Sequence, residues 1–450
     1  MRYSLLALAM ASNGCSLIFD GNDLHGTAGG NGDLGMSSDL AGGGDGGAGL
    51  DLTGGGGDLA GTPCTPLTTV KFTVSTPSVA AMGPYTIALG DINKDGHPDI
   101  VTANYSSDNF SVLLGAADGS FNLASTAPFA GCTTPQYVIV ADLDNDLLDD
   151  VVLTCFDNTT AVINVYLNQS TPTMVKFAAA KPVTVPANHL LYIVAGKFNV
   201  DANVDLAVVD NGATNGVNAV TLFTGDGHGN FAATAPMTAG SGASSPSVTD
   251  LNNDGVDDLM VYNDNDDDLT MFLSKPAGGF TATRLAYDST GASPGGTLYF
   301  AGAPTLRDLN GDGLKDIVVA SGTTSPGTIE VFLNSGTATA PAFPVTPTDV
   351  PTGDLPLTQE LADFNCDGKL DIVASTNGCD PGNQSCPGGT AQPPGLWVLP
   401  GHGAGFDARI TTASLVGCDN LYTGDFDGNG YPDVVCGGSA GAVQVFLNKP

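Results

Sequence analysis

The sequence predicts an all-β chain folded as a seven-bladed β-propeller, and three observations carry that prediction. A short acidic loop recurs seven times, starting at residues 91, 142, 197, 250, 308, 363 and 425, so that successive copies lie 51 to 62 residues apart. Each copy is preceded by one β-type run and followed by two more, all rich in branched residues. No stretch of comparable length carries a helical period. A repeat this long, with one loop and a few strands per unit, describes supersecondary units that bury their faces only against one another.

The elements of a unit follow in order. A first strand such as PYTIALG, QYVIVA or LLYIVAG leads into the loop, and an apolar run (DIVTA, DVVLT, DLAVV, DLMVY, DIVVA, DIVAS, DVVCG) leaves it. A third strand follows: FSVLLG, INVYLN, VTLFTG, LTMFLS, IEVFLN, LWVLPG and VQVFLN. A Gly- or Pro-containing turn then reaches a phenylalanine (Phe121, Phe177, Phe231, Phe280, Phe343, Phe406) expected to open a weaker fourth strand. Four strands per unit and seven units make a propeller. The chain as given stops after the third strand of unit seven. Val70–Val74 reads as a strand with no unit of its own, so it is expected to complete the last blade and close the ring.

The loops read DINKDGHPDI, DLDNDLLDDV, KFNVDANVDL, DLNNDGVDDL, DLNGDGLKDI, DFNCDGKLDI and DFDGNGYPDV. Oxygen ligands at positions 1, 3 and 5, a glycine at 6, a carbonyl at 7 and a closing carboxylate make a shell for a hard cation. Oxygen donors without His or Cys favour Ca²⁺. Five copies are intact. They offer Asp91, Asn93, Asp95, His97 (through its carbonyl) and Asp99 in the first, and Asp250, Asn252, Asp254, Val256 and Asp258 in the fourth. The fifth offers Asp308, Asn310, Asp312, Leu314 and Asp316; the sixth, Asp363, Asn365, Asp367, Lys369 and Asp371. The seventh offers Asp425, Asp427, Asn429, Tyr431 and Asp433. The second copy keeps Asp142, Asp144, Asp146, Leu148 and Asp150 but has Leu147 where glycine belongs, so its turn is expected to be strained. The third has Lys197 at position 1 and Ala202 at position 6, and an ammonium in place of a ligand argues for an empty site. Five Ca²⁺ ions are therefore expected, with a sixth at Asp142.

This signature, D-x-[DN]-x-[DN]-G-x-x-D-[ILV], resembles the FG-GAP/VCBS repeats of bacterial surface proteins, which are related to the propeller of integrin α-subunits. The resemblance covers residues 67–450. It implies a calcium-binding, cell-surface propeller. The chain departs from the integrin pattern in lacking Gly-Ala-Pro after the loop strand, since its one such triplet, Gly302–Pro304, precedes a loop. Integrin-type ligand recognition is not carried over.

Acidic residues number 47 against 13 basic, for a net charge of −34, and all but Glu330 and Glu360 are aspartates. Six Ca²⁺ ions would bring that charge to about −22. The balance excludes nucleic-acid backbones, which require clustered Lys and Arg, and direct adhesion to anionic headgroups. Residues 1–15 read as an export signal, with apolar Leu5–Ala11 and a lipid-acceptor Cys15 in SNGC; a cut after Ala11 would instead give free secretion. A membrane contact is expected only through that lipid. Residues 16–66 read as a tether. Its Gly/Asp-rich part, 21–62, has a root-mean-square reach of roughly 35 Å. The nine cysteines fit an exported chain. Cys132 and Cys155 flank the second loop, Cys418 and Cys436 flank the seventh, and both pairs are placed to bridge. Cys379 and Cys386 bracket one segment, while Cys64 and Cys366 have no spatial argument for pairing.

None of the five histidines falls in a catalytic motif, and there is no G-x-S-x-G elbow or phosphate loop. The chain is therefore read as a non-enzymatic, monomeric binding or adhesion module for an extracellular glycan or protein. The alternatives are a polysaccharide-active lyase or glycosidase on the same scaffold, and a passive envelope scaffold. Tyr85, Tyr137, Tyr192, Tyr299 and Tyr422 enter the first strands, where they either pack between blades or stack on sugar at the central mouth. Insertions at Ala374–Gly395, Asp210–Asn218 and Asp288–Leu298 point to the face away from the acidic loops as the binding face.

Overall fold

The computed structural model describes residues 65–67, 70–74, 78–79 and 84–449, except 126–127, 157–160, 186–190, 212–217, 267, 277, 286–302, 322–326, 345–346, 352–355, 377–394, 403–404, 408, 414–417, 419 and 439–441. These residues form seven antiparallel sheets of at least four strands and a small extra hairpin. Their single helical element is a short 3-10 turn at Tyr105–Ser107. Blade 1 shows the pattern: Pro84–Gly90 innermost, then Asp99–Asn104, Asn109–Gly115 and Phe121–Leu123 in chain order outward. Blades 2 to 6 start at Pro135, Leu191, Ala243, Thr305 and Pro356 and keep that order.

Blade 7 closes the ring as expected. Its inner three strands are Asn420–Gly424, Asp433–Gly438 and Ala442–Asn448, and its outer strand is Phe72–Val74, with Phe72 opposite Asn448 and Val74 opposite Phe446. Ser78–Val79 adds to the same edge. Phe72 meets Phe364 and Phe446 edge-on at 5.9 and 6.3 Å. Between the last and first blades, Tyr422 donates its hydroxyl to the Ile87 carbonyl at 2.9 Å and Asn420 Nδ2 donates to the Tyr85 carbonyl at 3.1 Å. Ile87, Leu89, Val435 and Val445 pack together in that seam.

The second strand of each blade lies between neighbouring blades, so it needs no polar face. Asp99–Asn104, Asp258–Asn263 and Asp371–Thr376 are buried at every position. The phenylalanine opens the fourth strand only in blades 1, 3 and 4. In blades 2 and 5 the intervening turn forms its own small bridges, Thr171 with Met174 and Thr337 with Ala340, and the outer strand starts later, at Lys181 and Thr348. In blade 6 Phe406 closes a separate hairpin with Gly401, and the outer strand is Ile410–Ala413.

Candidate metal centres

Each acidic loop joins the inner strand of its blade to the second, so the seven loops share one face of the ring. Six of them wind identically. The position-1 carboxylate accepts the amides of positions 5 and 6: Asp91 from Asp95 at 3.0 Å and Gly96 at 2.9 Å, Asp250 from Asp254 and Gly255, Asp363 from Asp367 and Gly368. Asp142, Asp308 and Asp425 do the same. The position-5 side chain in turn accepts the amide of position 7, as Asp95 does from His97 and Asn429 from Tyr431. The winding needs left-handed backbone at positions 4 and 6, and all six copies have it at both. Gly96 and Gly255 both sit at φ 87°, and Leu147 is forced to φ 69°. A left-handed leucine costs about 1–2 kcal/mol. The strain expected at that position is present in the backbone.

Two of the loops gather carboxylate oxygens at a point. One carboxylate oxygen from each of Asp142, Asp144 and Asp146 lies within 4.8 Å of the other two, and Asp425, Asp427 and Asp433 form a second such group. Asp144 Oδ1 is buried with no hydrogen-bond partner among the described residues. Burial, then the charges of Asp146 and Asp142, raise the pKa of Asp144. An orphaned buried carboxylate oxygen among like charges is the environment a divalent cation relieves. The donor set suits a hard ion, with the five residues named for each intact loop and for the Asp142 loop as its holders.

Position 9 has a second occupation. In all seven loops this aspartate is wholly buried and ties the loop to the end of the third strand. Asp99 accepts from Ile92 and Gly115, both at 2.9 Å. Asp150 accepts from Leu143 and Asn168, Asp316 from Leu309 and Asn334, Asp371 from Phe364 and Gly401, and Asp433 from Phe426 and Asn448. Asp258 does so with Leu251 and Ser274. Burial pushes Asp99, Asp258 and Asp371 up to about 7 and Asp150 and Asp433 to about 8, against the lowering effect of these amides. Sequence reasoning had treated this residue purely as a ligand. The signal for its other role was present, since position 9 is aspartate even in the loop that has lost position 1.

That third loop keeps only part of the winding: Asp201 accepts the Asn203 amide at 2.9 Å, as position 5 does elsewhere, but no position-1 carboxylate gathers the turn. None of residues 197–205 is left-handed. Asn199 Nδ2 donates to Asp205 Oδ2 at 2.8 Å, closing positions 3 and 9 on each other, while Asp205 Oδ1 still accepts from Gly225 at 2.8 Å.

Neighbouring loops also touch. Asp149 accepts the Asp91 amide at 2.9 Å and Asp257 accepts the Lys197 amide at 2.6 Å, each at position 8 of the following blade. The Lys94 ammonium donates to the Leu147 carbonyl, and Asn145 Nδ2 donates to Asn203 Oδ1 at 3.1 Å.

The tyrosines at the inner strands resolve toward packing. Tyr137, Tyr192 and Tyr422 are buried, and the Tyr137 ring lies 4.8 Å from Tyr192 and 6.1 Å from the half-buried Tyr85. Tyr299 lies outside the described residues, as do Cys15, the tether through Cys64, and the core of all three insertions. Disulfides join Cys132 to Cys155 and Cys418 to Cys436, as the spacing suggested. Cys366 is disulfide-bonded too, and Cys379 and Cys386 lie outside the described residues.

Three stretches of the chain, 91–153, 197–261 and 308–374, match the family described as FG-GAP-like repeat. Each spans an acidic loop and its flanking strands. No curated protein matches the chain. Among solved structures, it is similar to BBS1N in complex with ARL6DN, in a lead-soaked crystal (11% identity, 84% of this chain and 97% of that one covered, TM-score 0.50) and in a mercury-soaked crystal (12%, 85% and 98%, TM-score 0.52). At that identity the likeness speaks to the fold alone. The repeated loops, the seven blades and the matched segments agree: the chain is a seven-bladed β-propeller carrying FG-GAP-like repeats at 91–153, 197–261 and 308–374.

Proposed function

We propose that this propeller is an exported, calcium-stabilised binding module, held at a cell surface by lipid on Cys15 or secreted, and engaging a protein partner without catalysing a reaction. The observation that carries the metal part is the common winding of six loops, two of them with three converging carboxylates, and Asp144 Oδ1 left without a protein donor among the described residues. Ca²⁺ bound there would neutralise clustered carboxylates and fix the loops as a rigid platform. A protein ligand is favoured over a glycan because Tyr137, Tyr192 and Tyr422, the aromatics best placed to stack on sugar, are packed inside. The similar BBS1N propeller is crystallised in complex with ARL6DN, which is compatible with this use of the scaffold.

The test is ion content by mass spectrometry together with melting in Ca²⁺ and in chelator. Bound calcium and a large chelator-sensitive shift are expected. Protein free of calcium after dialysis against the ion, with an indifferent melting point, would remove the metal reading. A Cys15→Ser variant that still partitions with membranes would remove the anchor.

A further inference from the structure

On the loop face, the turn between the third and fourth strands of one blade leans on the blade before it. In blade 1, Gly119 presses on Leu447: a Cβ there would lie 2.7 Å from Leu447 Cδ2. In blade 3, Gly229 presses in the same way on Leu167. Both leucines directly precede the asparagine that binds the position-9 aspartate. The equivalent residue of blade 5 is Leu333, before Asn334, and it is 41% exposed, against 8% for Leu447.

The turns differ in length. The closing pairs Gly115–Phe121 and Gly225–Phe231 enclose five residues, whereas Gly401–Phe406 in blade 6 encloses four. The blade 6 turn is thus one residue shorter, and Leu333 on the blade before it is exposed. A cleft of about 540 Å³ opens between blades 5 and 6, walled by Leu309, Val331, Val350, Leu370 and Phe406. That volume falls in the range of specific ligand sites. Its rim carries Asp308, Asp349 and Asp407 against Lys369 and His402, and His402 lies 3.5 Å from Asp407. With Asp308 assigned to the fifth loop's ion, Asp349 and Asp407 still outweigh Lys369, so the rim is acidic on a chain of net charge −34.

We propose that this cleft docks a segment of a partner protein bearing a bulky aliphatic side chain beside a lysine or arginine. The apolar walls accept the side chain, and Asp349 and Asp407 accept the cation. Anionic ligands are repelled, and the walls offer no exposed flat aromatic pair for sugar. The proposal rests on the protein-binding reading above and places the contact on the loop face.

The probe is a set of labelled octapeptides with a central Leu or Ile flanked by Lys or Arg, compared with sets flanked by Asp or Glu and with Ser at the centre. Fluorescence polarisation is read on the full chain in Ca²⁺. Binding of the basic–aliphatic set is expected, weakened about tenfold or more by Leu333→Asp and by lengthening the 402–405 turn by one glycine. Leu333 is exposed, so the variant should keep the wild-type melting point. Absence of binding up to about 1 mM, preference for acidic flanks, or indifference to Leu333→Asp would overturn the proposal. So would sedimentation showing that Leu333→Asp converts a dimer to a monomer, which would make a second copy the occupant. Peptide binding that fails while the calcium-dependent melting shift persists removes the cleft alone; loss of that shift in the wild type removes the metal reading instead.

Discussion

Removing calcium should cost this propeller a sizeable share of its stability. Six loops carry the shared winding, and extracellular calcium sites have Kd values of about 10⁻⁴–10⁻³ M. At about 1 mM ion and a Kd of about 10⁻⁴ M, each occupied site adds roughly 1.4 kcal/mol by mass action, so six add roughly 8 kcal/mol. The propeller spans about 380 residues, and at about 2.1 cal/mol/K per residue its unfolding entropy is roughly 0.8 kcal/mol/K. Dividing one by the other gives a melting shift of roughly 10 °C. The assay is calorimetry in about 1 mM CaCl₂ against excess EGTA, with bound ion counted on the same sample. Six ions are expected, not seven, because the Lys197 loop closes Asn199 on Asp205 instead. Hydrogen exchange should show blade 3 changing least on chelation. A shift within about 2 °C of zero, or seven ions, would refute the reasoning.

Other outcomes follow from the same geometry. Leu147→Gly should raise stability by about 1 kcal/mol by relieving a φ of 69°, whereas Gly255→Ala should lower it by about as much. No atom lies within 4 Å of a Cβ at Gly255, so backbone strain alone is at stake there, whereas Gly225→Ala would drive a Cβ to 2.2 Å from the Val204 carbonyl and should cost more. Tyr422→Phe removes the hydroxyl that crosses the ring seam and should cost about 1 kcal/mol, while Phe72→Ala, which unpacks the latch strand, should cost about 3 kcal/mol, both read by urea denaturation. The metal-free protein should lose stability as pH rises. Burial holds Asp99 and Asp258 near 7 and Asp433 near 8 when folded, above the unfolded value of 3.8, so their contribution is fully present below about pH 4 and is lost on the way to pH 8. Melting in EGTA at pH 5 should therefore exceed that at pH 8, with Ca²⁺ abolishing the difference; a metal-free protein equally stable at both would contradict it.

Much of this fold was legible because the repeat is internal. Seven copies of one loop and of the strands around it fix blade number and strand order, and the leftover Val70–Val74 could only belong to the blade that lacked an edge. Legibility failed where one residue type serves two ends. Phe177, Phe343 and Phe406 look like strand openers, yet the turns before them form their own hydrogen bonds or hairpins and delay the strand. The tyrosines were ambiguous because an amphipathic ring suits both a blade interface and a sugar face. The cleft between blades 5 and 6 lies beside a turn one residue shorter than its counterparts, and that difference in length gains meaning only once the turns of blades 1 and 3 are seen resting on their leucines.

The acidic loop is best understood as two motifs laid over each other. Positions 1, 3, 5 and 7 are the ones a cation would use beside position 9, and the third copy keeps Asn199 and Asp201 but has Lys197 in place of the first carboxylate and no left-handed turn. Position 9, with the amides at position 2 and at the third-strand end, serves the blade, and it survives in every copy. A blade that loses its ion can keep its shape because Asp205 still clips loop to strand and Asn199 takes over the lone pair a metal would have used. The converse follows for the other six. Replacing position 1 by alanine, as in Asp91→Ala, should abolish one ion and leave blade 1 folded, whereas Asp99→Ala removes the clip at a site buried on all sides and should unravel the blade even when calcium is plentiful. Equal effects of the two substitutions, measured by exchange protection of 84–123, would show that the loop is one motif after all.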